Sequence, residues 1–364
     1  MYHKFVFLLA ALLLAGDLSG TGIREDTVRE RPPNIILMIG DGMGASQLSI
    51  PYFYTDHEPV FSRFKYIGLC RTSPATAPVT MSSAAATALS TGVKTYNMAV
   101  GVGVDSLPVE NITEIASALG YRSGVIATSS VTDATPAGFY AHVPDRYMKR
   151  EIAMDLLDSK IDFFAGGGLK YFIDTTGTDH FREHGILVNF SELEPIGDPE
   201  PDLRYGFLLA MERMPAMLEG RGNFLADAAE IGIDFLSRGE DGFFLMIEGS
   251  QIDWAGHGNQ VEYMITEMND FENSVRHVLE YAEKDGNTLV IVTADHETGG
   301  FTLGAAGGYG ENTDYTTIAP SFATTNHSAA LVPVLAYGPG AENFAGVYEN
   351  TDIFRKILDL IKNR

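Results

Sequence analysis

Residues 34–44 read NIILMIGDGMG, and the fold assignment depends first on this stretch. The run from Asn34 to Ile39 is short and almost wholly apolar, which is typical of a parallel strand buried on both faces. Gly40-Asp41-Gly42 then supplies the residues of a tight turn. The stretch therefore predicts a buried parallel strand that ends at a carboxylate.

Further apolar runs follow along the chain and also end at polar or turn-forming residues. They are Gly124–Thr128, Phe243–Ile247, Thr288–Thr293 and Ala330–Tyr337. Segments with helical periodicity lie between them: Ser82–Ser90, Val109–Leu119, Lys149–Leu157, Gly222–Leu236, Glu262–Glu283 and Asp352–Ile361. Strands and helices in alternation predict an α/β fold, a mostly parallel central sheet with helices on both faces.

Ligands bind at the carboxyl ends of the strands in sheets of this kind. The polar residues expected there, or in nearby loops, are Asp41, Thr135, Glu248, Asp253, His257, Asp295, His296 and His327. Asp253 and His257 are one helical turn apart, so a helix after the strand would place both on one face. Mixed carboxylate and imidazole ligands suit zinc, whereas an all-oxygen set suits magnesium.

The composition limits the classes of partner. The 364 residues carry a net charge of −23, which argues against a nucleic-acid-binding surface. Carboxylates that bind divalent cations would reverse this charge locally, so an anionic substrate stays possible. The single cysteine, Cys70, cannot form an internal disulfide, and we interpret it as a small buried residue at a strand end.

The N-terminus has the pattern of an export signal. The apolar run from Phe5 to Gly16 follows a lysine and is too short to span a bilayer as a helix. We predict a signal peptide over residues 1–22, export to the periplasm or beyond, and no transmembrane anchor in the mature chain. Residues 33–364 are predicted to form one domain, with an insertion around residues 171–219 where periodicity is weak.

Several separate motifs resemble the metal-binding signatures of alkaline phosphatases, in the order found in that family. They are residues 39–44 (IGDGMG), 248–257 (EGSQIDWAGH), 293–300 (TADHETGG) and 326–328 (NHS). Residues 87–97 (TALSTGVKTYN) resemble the segment that follows the family's nucleophile. The resemblance runs from about Asn34 to the C-terminus and is strongest to the short, cold-active bacterial members.

The resemblance implies a role for each matching residue. One zinc would be held by Asp253, His257 and His327, and a second by Asp41, Asp295 and His296. One magnesium would be held by Asp41, Thr135 and Glu248. Ser82 aligns with the nucleophile, Arg146 with the phosphate-binding arginine, and Asp133 and Trp254 with positions that tune the magnesium site.

The implied activity is hydrolysis of phosphate monoesters through a phosphoserine intermediate, with release of inorganic phosphate. A serine hydroxyl is a weak nucleophile by itself, and two zinc ions about 4 Å apart could activate it and stabilise the leaving oxygen. The family also implies a homodimer.

Met81 departs from the family pattern, which normally has an aspartate before the nucleophile. We expect Arg146 to be less constrained as a result, so that phosphate binding weakens. Three alternatives stay open at this point. Ser83 could attack in place of Ser82, or the chain could be a catalytically impaired metal- and phosphate-binding protein. It could also be a phosphodiesterase or sulfatase of the same superfamily, although these generally lack the site of Thr135 and Glu248.

Overall fold

The computed structural model describes residues 32–173, 180–198, 203–308, 310 and 312–362. The predicted signal peptide lies outside the described residues. The strands are β1 Asn34–Gly40, β2 Tyr66–Arg71, β3 Arg122–Ser130, β4 Phe163–Gly167, β5 Ile186–Asn189, β6 Arg204–Ala210, β7 Phe243–Gly249, β8 Thr288–Thr293, β9 Glu297–Thr298, β10 Thr302–Gly307, β11 Thr313–Ser321, β12 His327–Ser328, β13 Val332–Tyr337 and β14 Gly346–Glu349.

The helices confirm the predicted helical segments, with ends that differ by a few residues. They are α1 Ala45–Leu48, α2 Pro51–Tyr54, α3 Ser82–Thr91, α4 Ile112–Ala118, α5 Ala134–Ala137, α6 Lys149–Asp158, α7 Phe224–Leu236, α8 Gln251–Gly258, α9 Val261–Asp285 and α10 Asn350–Lys362. Short 3-10 turns cover Val60–Arg63, Leu169–Tyr171, Arg182–His184, Met217–Glu219 and Ala341–Phe344. Among the described residues, none of these helices is both long and apolar enough to cross a bilayer.

A ten-stranded sheet forms the centre of the fold, in the order β14-β2-β13-β8-β1-β7-β3-β4-β6-β5. All neighbouring pairs are parallel except those of β13, which is antiparallel to both β2 and β8. The predicted α/β fold with a mostly parallel sheet is therefore confirmed. The first four predicted strands, β1, β3, β7 and β8, lie side by side within it.

The apolar side chains of the central strands form the core. Every residue of β1, β7 and β8 is buried, as their uninterrupted apolar runs predict. Each fully buried Ile, Leu or Val contributes about 1.5–3 kcal/mol relative to exposure. Helices α7 and α9 contact each other and these strands. This core fixes the central strands, and with them the positions of their ends.

Helix α3 is buried along its whole length because its residues are small. Its sequence, SSAAATALST, lets it pack closely against α5 and α10. It ends at Gly92, which has a φ of 70° as a left-handed cap. Its first residue is Ser82, so the predicted nucleophile lies at the N-terminus of a buried helix.

Residues 171–219 include two strands of the central sheet. β6 pairs with β4, and β5 pairs with β6 at the edge. The described part of the predicted insertion thus extends the sheet on the side of β3. The predicted domain limits, 33–364, stay a prediction.

Candidate active site

The four central strands bring together residues that are far apart in sequence. In the register, Ile39 of β1 lies beside Glu248 of β7 and Thr293 of β8. Asp41 follows β1 directly, and Asp295 is two residues beyond Thr293. Parallel strands end at the same edge of a sheet, so these carboxylates meet there.

The first cluster contains Asp41, Asp295 and His296. Their candidate ligand atoms all lie within 4.8 Å of one another, and all three residues are buried. His296 Nε2 is 3.0 Å from Asp295 Oδ2 and 3.6 Å from Asp41 Oδ1. These are the three residues that the resemblance implies for one of the two zinc ions.

The second cluster contains Asp253, His257 and His327. His257 Nε2 is 3.0 Å from His327 Nε2 and 3.4 Å from Asp253 Oδ2. His327 Nε2 is 3.5 Å from Asp253 Oδ1. Helix α8 places Asp253 and His257 one turn apart, as the spacing predicts. His296 adjoins this cluster as well, because its ligand atom lies within 4.8 Å of those of Asp253 and His327.

A smaller pocket of about 80 Å³, lined mainly by carboxylate and hydroxyl side chains, adjoins the two clusters. Asp41, Thr135 and Glu248, the predicted magnesium ligands, are among its lining residues, together with Asp133 and Trp254. The hydroxyls of Ser250 and Ser129 lie 2.6 Å and 3.3 Å from Glu248 Oε2 and donate to it. These bonds hold one carboxylate oxygen of Glu248 in place.

Two buried oxygen atoms at these positions have no hydrogen-bond partner in the described part of the chain. They are Asp41 Oδ1 and Thr135 Oγ1. A buried polar atom without a partner costs about 1–3 kcal/mol. Both belong to predicted metal ligands, so cation binding accounts for atoms that the protein itself leaves unsatisfied. The residues present therefore fit a metal centre.

The pKa values of the clustered side chains also indicate a site for cations. Burial, together with the charges of Asp295, Asp253 and Glu248, raises the pKa of Asp41 well above its ordinary value. Burial also raises the pKa of Glu248 to about 7. Burial and the charge of His296 lower the pKa of His327 to about 4. Without cations the site concentrates negative charge away from water, and bound divalent ions would compensate it.

Backbone and hydroxyl groups orient the three histidines. His257 Nδ1 is 2.6 Å from the carbonyl of Thr325, and His327 Nδ1 is 2.8 Å from the carbonyl of Thr80. Thr298 Oγ1 donates to Asp253 Oδ1 at 2.5 Å and lies 3.2 Å from His296 Nδ1. Sequence reasoning missed Thr298, although it lies within a quoted motif, because only the tertiary structure brings Asp253 to it.

Ser82 lines a pocket of about 470 Å³. Its hydroxyl is buried and 3.3 Å from His296 Nε2. Arg146 and Met81 line the same pocket, and Arg146 also lines the smaller one. Ser83 is fully buried and accepts a hydrogen bond from the backbone N–H of Met98. The serine that faces the two clusters is thus Ser82.

Asp133 and Lys149 form an ion pair beside the smaller pocket. Lys149 Nζ donates to Asp133 Oδ1 at 2.6 Å and to the carbonyl of Thr132 at 2.9 Å. The guanidinium of Arg213 lies 5.2 Å from the centre of the Trp254 ring. The sequence alone did not single out Lys149 or Arg213, because each contacts its partner only across the fold.

A larger pocket, of about 700 Å³, lies beside β5 and β6. None of the predicted site residues is among those that line it. Its size alone therefore carries no functional argument, and the polar clusters at the strand ends identify the candidate site.

Comparison with known proteins gives a consistent result. The sequence profile of the alkaline phosphatase family matches residues 33–188 and 206–319. Alkaline phosphatase 3 of Bacillus subtilis is 31% identical over 90% of this chain and 89% of its own. Because the profile covers more than half of the chain, it identifies the family.

Solved structures agree with the sequence match. Alkaline phosphatase from the Antarctic bacterium TAB5 is 50% identical, with a TM-score of 0.88 over 91% of this chain and 98% of that one. A mutant of that enzyme has been solved with Mg bound in its M3 site. The cold-active enzyme of a psychrophilic Shewanella sp. is 30% identical, with a TM-score of 0.82 over 90% and 99% of the two chains. The chain therefore belongs to the alkaline phosphatase family and is a metal-dependent phosphatase.

Proposed function

We propose that this enzyme hydrolyses phosphate monoesters through a phosphoserine intermediate on Ser82. The observation that carries the proposal is the position of the Ser82 hydroxyl, buried and 3.3 Å from His296 Nε2 between the two clusters. The N-terminal backbone N–H groups of a helix favour negative charge, and Ser82 is the first residue of α3. The proposed nucleophile therefore lies where the charge of a phosphoryl group is stabilised.

The proposed cofactors are two zinc ions and one magnesium ion. Asp253, His257 and His327 would hold one zinc, and Asp41, Asp295 and His296 the other. Asp41, Thr135 and Glu248 would hold the magnesium. Bound divalent cations supply Lewis acidity, which polarises phosphoryl oxygens and lowers the pKa of a hydroxyl or a water. Asp133 and Trp254 border the magnesium position and are proposed to tune it.

The proposed reaction has two displacements at phosphorus. Ser82 Oγ loses its proton and forms the new P–O bond, while the ester P–O bond breaks and the leaving alcohol takes up a proton. A water molecule then attacks the phosphoserine, so that inorganic phosphate leaves and the Ser82 hydroxyl is restored. Arg146 lines the pocket with Ser82 and offers two parallel donors to the non-bridging oxygens.

The test of the nucleophile compares Ser82→Ala with Ser83→Ala. Ser82→Ala is expected to lower kcat/KM by at least about a thousandfold, because a nucleophile cannot be replaced by its neighbours. Acid quenching of the wild type with a ³²P-labelled monoester should trap label on Ser82. Label on Ser83, or full activity in Ser82→Ala, would contradict the assignment. Melting temperature serves as the control for folding of both variants.

The test of the substrate class compares three p-nitrophenyl esters. p-Nitrophenyl phosphate should turn over much faster than the diester bis(p-nitrophenyl) phosphate or p-nitrophenyl sulfate. The reason is that Arg146 and the helix N-terminus favour a doubly charged terminal phosphoryl group. Chelation should abolish the reaction, and zinc and magnesium together should restore it. Equal turnover of the diester would reject the monoester assignment.

Export and self-association are also proposed, on the basis of the N-terminal pattern and the family. N-terminal sequencing of the mature protein from a periplasmic or culture fraction should show removal of about the first 22 residues, the length typical of a signal peptide. Light scattering should give twice the chain mass. An intact N-terminus or a monomer mass would contradict the respective proposal.

A further inference from the structure

A cationic pocket lies beside the active site of this acidic protein. Its volume is about 540 Å³, and its lining residues are Tyr147, Lys149, Arg150, Glu151, Lys170 and Tyr171. Three of these six side chains are cationic and one is acidic, whereas the whole chain has a net charge of −23. The local sign of charge is thus opposite to that of the molecule.

The cationic pocket borders the pocket of Ser82. Tyr147 lines both the cationic pocket and the pocket of Ser82, and it directly follows Arg146 in the chain. Its ring is 68% exposed, and its backbone N–H donates to Asp145 Oδ1 at 2.8 Å. A phosphate ester bound at Ser82 and Arg146 could therefore extend its alcohol portion past Tyr147 into the cationic pocket.

The three cationic side chains differ in the ion pairs and hydrogen bonds that they already form within the protein. Lys149 Nζ donates to Asp133 and to the carbonyl of Thr132. Lys170 pairs with Glu212, and its ammonium lies 5.0 Å from the centre of the Tyr171 ring. Because the Lys170–Glu212 pair is solvent-exposed and therefore weak, an anionic ligand can compete for the Lys170 ammonium.

Arg150 is the cation most available to a ligand. It is exposed, and its guanidinium donates to the carbonyl of Ile173 at 3.4 Å. Within the described ranges, no carboxylate forms an ion pair with it. A planar guanidinium beside two tyrosine rings is suited to a carboxylate or phosphate group on a polar or cyclic alcohol.

We propose that the cationic pocket is a subsite for the leaving group, and that it favours phosphate monoesters whose alcohol carries a second anionic group. The proposal rests on the proposed monoesterase function and specifies its substrate class. Arg150 and Lys170 are the specificity-determining residues. Attraction at such an exposed site is screened by salt, so the preference should weaken as ionic strength rises.

The experiment compares kcat/KM for 6-phosphogluconate and glucose 6-phosphate. Both are esters of a C6 hydroxyl with a single phosphate. They differ at C1, which is a carboxylate in the open-chain 6-phosphogluconate and the hemiacetal carbon of a ring in glucose 6-phosphate, so the decisive readout is the change in their ratio on substitution of Arg150. The wild type should prefer 6-phosphogluconate, and Arg150→Gln should lower the ratio of the two kcat/KM values by about threefold, as for the loss of one exposed charge pair. Arg150→Gln with Lys170→Gln should lower it further. The matched control is Arg355→Gln, an exposed arginine on α10, which should leave the ratio unchanged.

The ratio is independent of the concentration of active enzyme, so a partly misfolded variant still gives a valid result. A wild-type ratio that falls between ~0.01 M and ~0.5 M salt supports the subsite. Turnover of glucose 6-phosphate with a ratio that Arg150→Gln does not change overturns the subsite and leaves the proposed function standing. Failure of the wild type to hydrolyse either ester overturns both.

Discussion

At the scale of single residues, Met81 shows how one side chain can alter phosphate binding. It precedes Ser82 as the N-cap of α3, its side chain makes no capping hydrogen bond, and it lines the pocket with Arg146. Its backbone N–H donates to Asn97 Oδ1 at 2.8 Å, so the backbone is held while the thioether accepts nothing from Arg146. A carboxylate at this position could both cap the helix and orient the guanidinium.

Met81→Asp should therefore tighten inhibition by inorganic phosphate. We expect the inhibition constant to fall about tenfold, the effect of one hydrogen bond to a charged group. The variant should also be more stable by about 1 kcal/mol, because aspartate is a good N-cap. Met81→Asn is the control, since it caps the helix without a charge. Unchanged phosphate inhibition in Met81→Asp would reject the role of this position.

Thr298 is a second single-residue case, because its hydroxyl donates to Asp253 and contacts His296. Thr298→Val keeps the shape and the backbone bond from its N–H to the carbonyl of Gly42. Zinc affinity should fall about 10- to 100-fold, as is typical when a partner of a metal ligand is removed. Competition with a chelator measures this without turnover. Thr302→Val, at an exposed threonine of β10, should bind zinc as the wild type does; equal affinities in all three proteins would contradict the prediction.

At the scale of secondary-structure elements, the turn after β1 fixes the start of α8. Gly42 has a φ of +75°, and a Cβ on it would lie 2.8 Å from Asp253 Cα and 2.9 Å from Thr298 Oγ1. The turn thus needs glycine both for its conformation and for the close approach of α8. Any side chain there would displace a predicted metal ligand.

Gly42→Ala should lower the free energy of unfolding more than Gly222→Ala. Gly222 has a φ of +65° with no atom near its would-be Cβ, so its substitution costs only the left-handed conformation, about 1–2 kcal/mol. Gly42→Ala adds a steric cost of about 1–3 kcal/mol. Urea unfolding in chelator measures both. Equal losses of unfolding free energy in the two variants would mean that α8 shifts to make room for the alanine side chain at position 42 without a steric cost.

The element scale also shows what the sequence could and could not predict. Buried strands such as β1 and β8 have apolar runs, and α9 has a long helical period, so their positions were predicted. Cys70 is buried near the end of β2, as predicted, but the extent of β2 was not predicted, because Ile67 and Leu69 are apolar yet exposed and obscure its alternation. The order of strands, the antiparallel direction of β13 and the contacts of Thr298 or Lys149 depend on pairing between distant segments.

At the scale of the whole molecule, the surplus of acidic residues opposes folding. A net charge of −23 repels itself in the folded state, and added salt screens this repulsion. In chelator, the melting temperature should rise by a few degrees between ~0.01 M and ~0.3 M sodium chloride. Potassium chloride should act equally, which distinguishes screening from binding of sodium. A melting temperature that does not change with salt concentration would show that the repulsion among the acidic residues is negligible.

The proposed ligand set begins at Asp41, directly after β1, and ends at His327, the first residue of β12. No fragment that stops before β12 contains every member of the set. During refolding, turnover should therefore return only with the slowest, longest-range step of folding, since contacts between distant segments form late. The onset of turnover would then report that the distant segments of the sheet have come together, without any added probe.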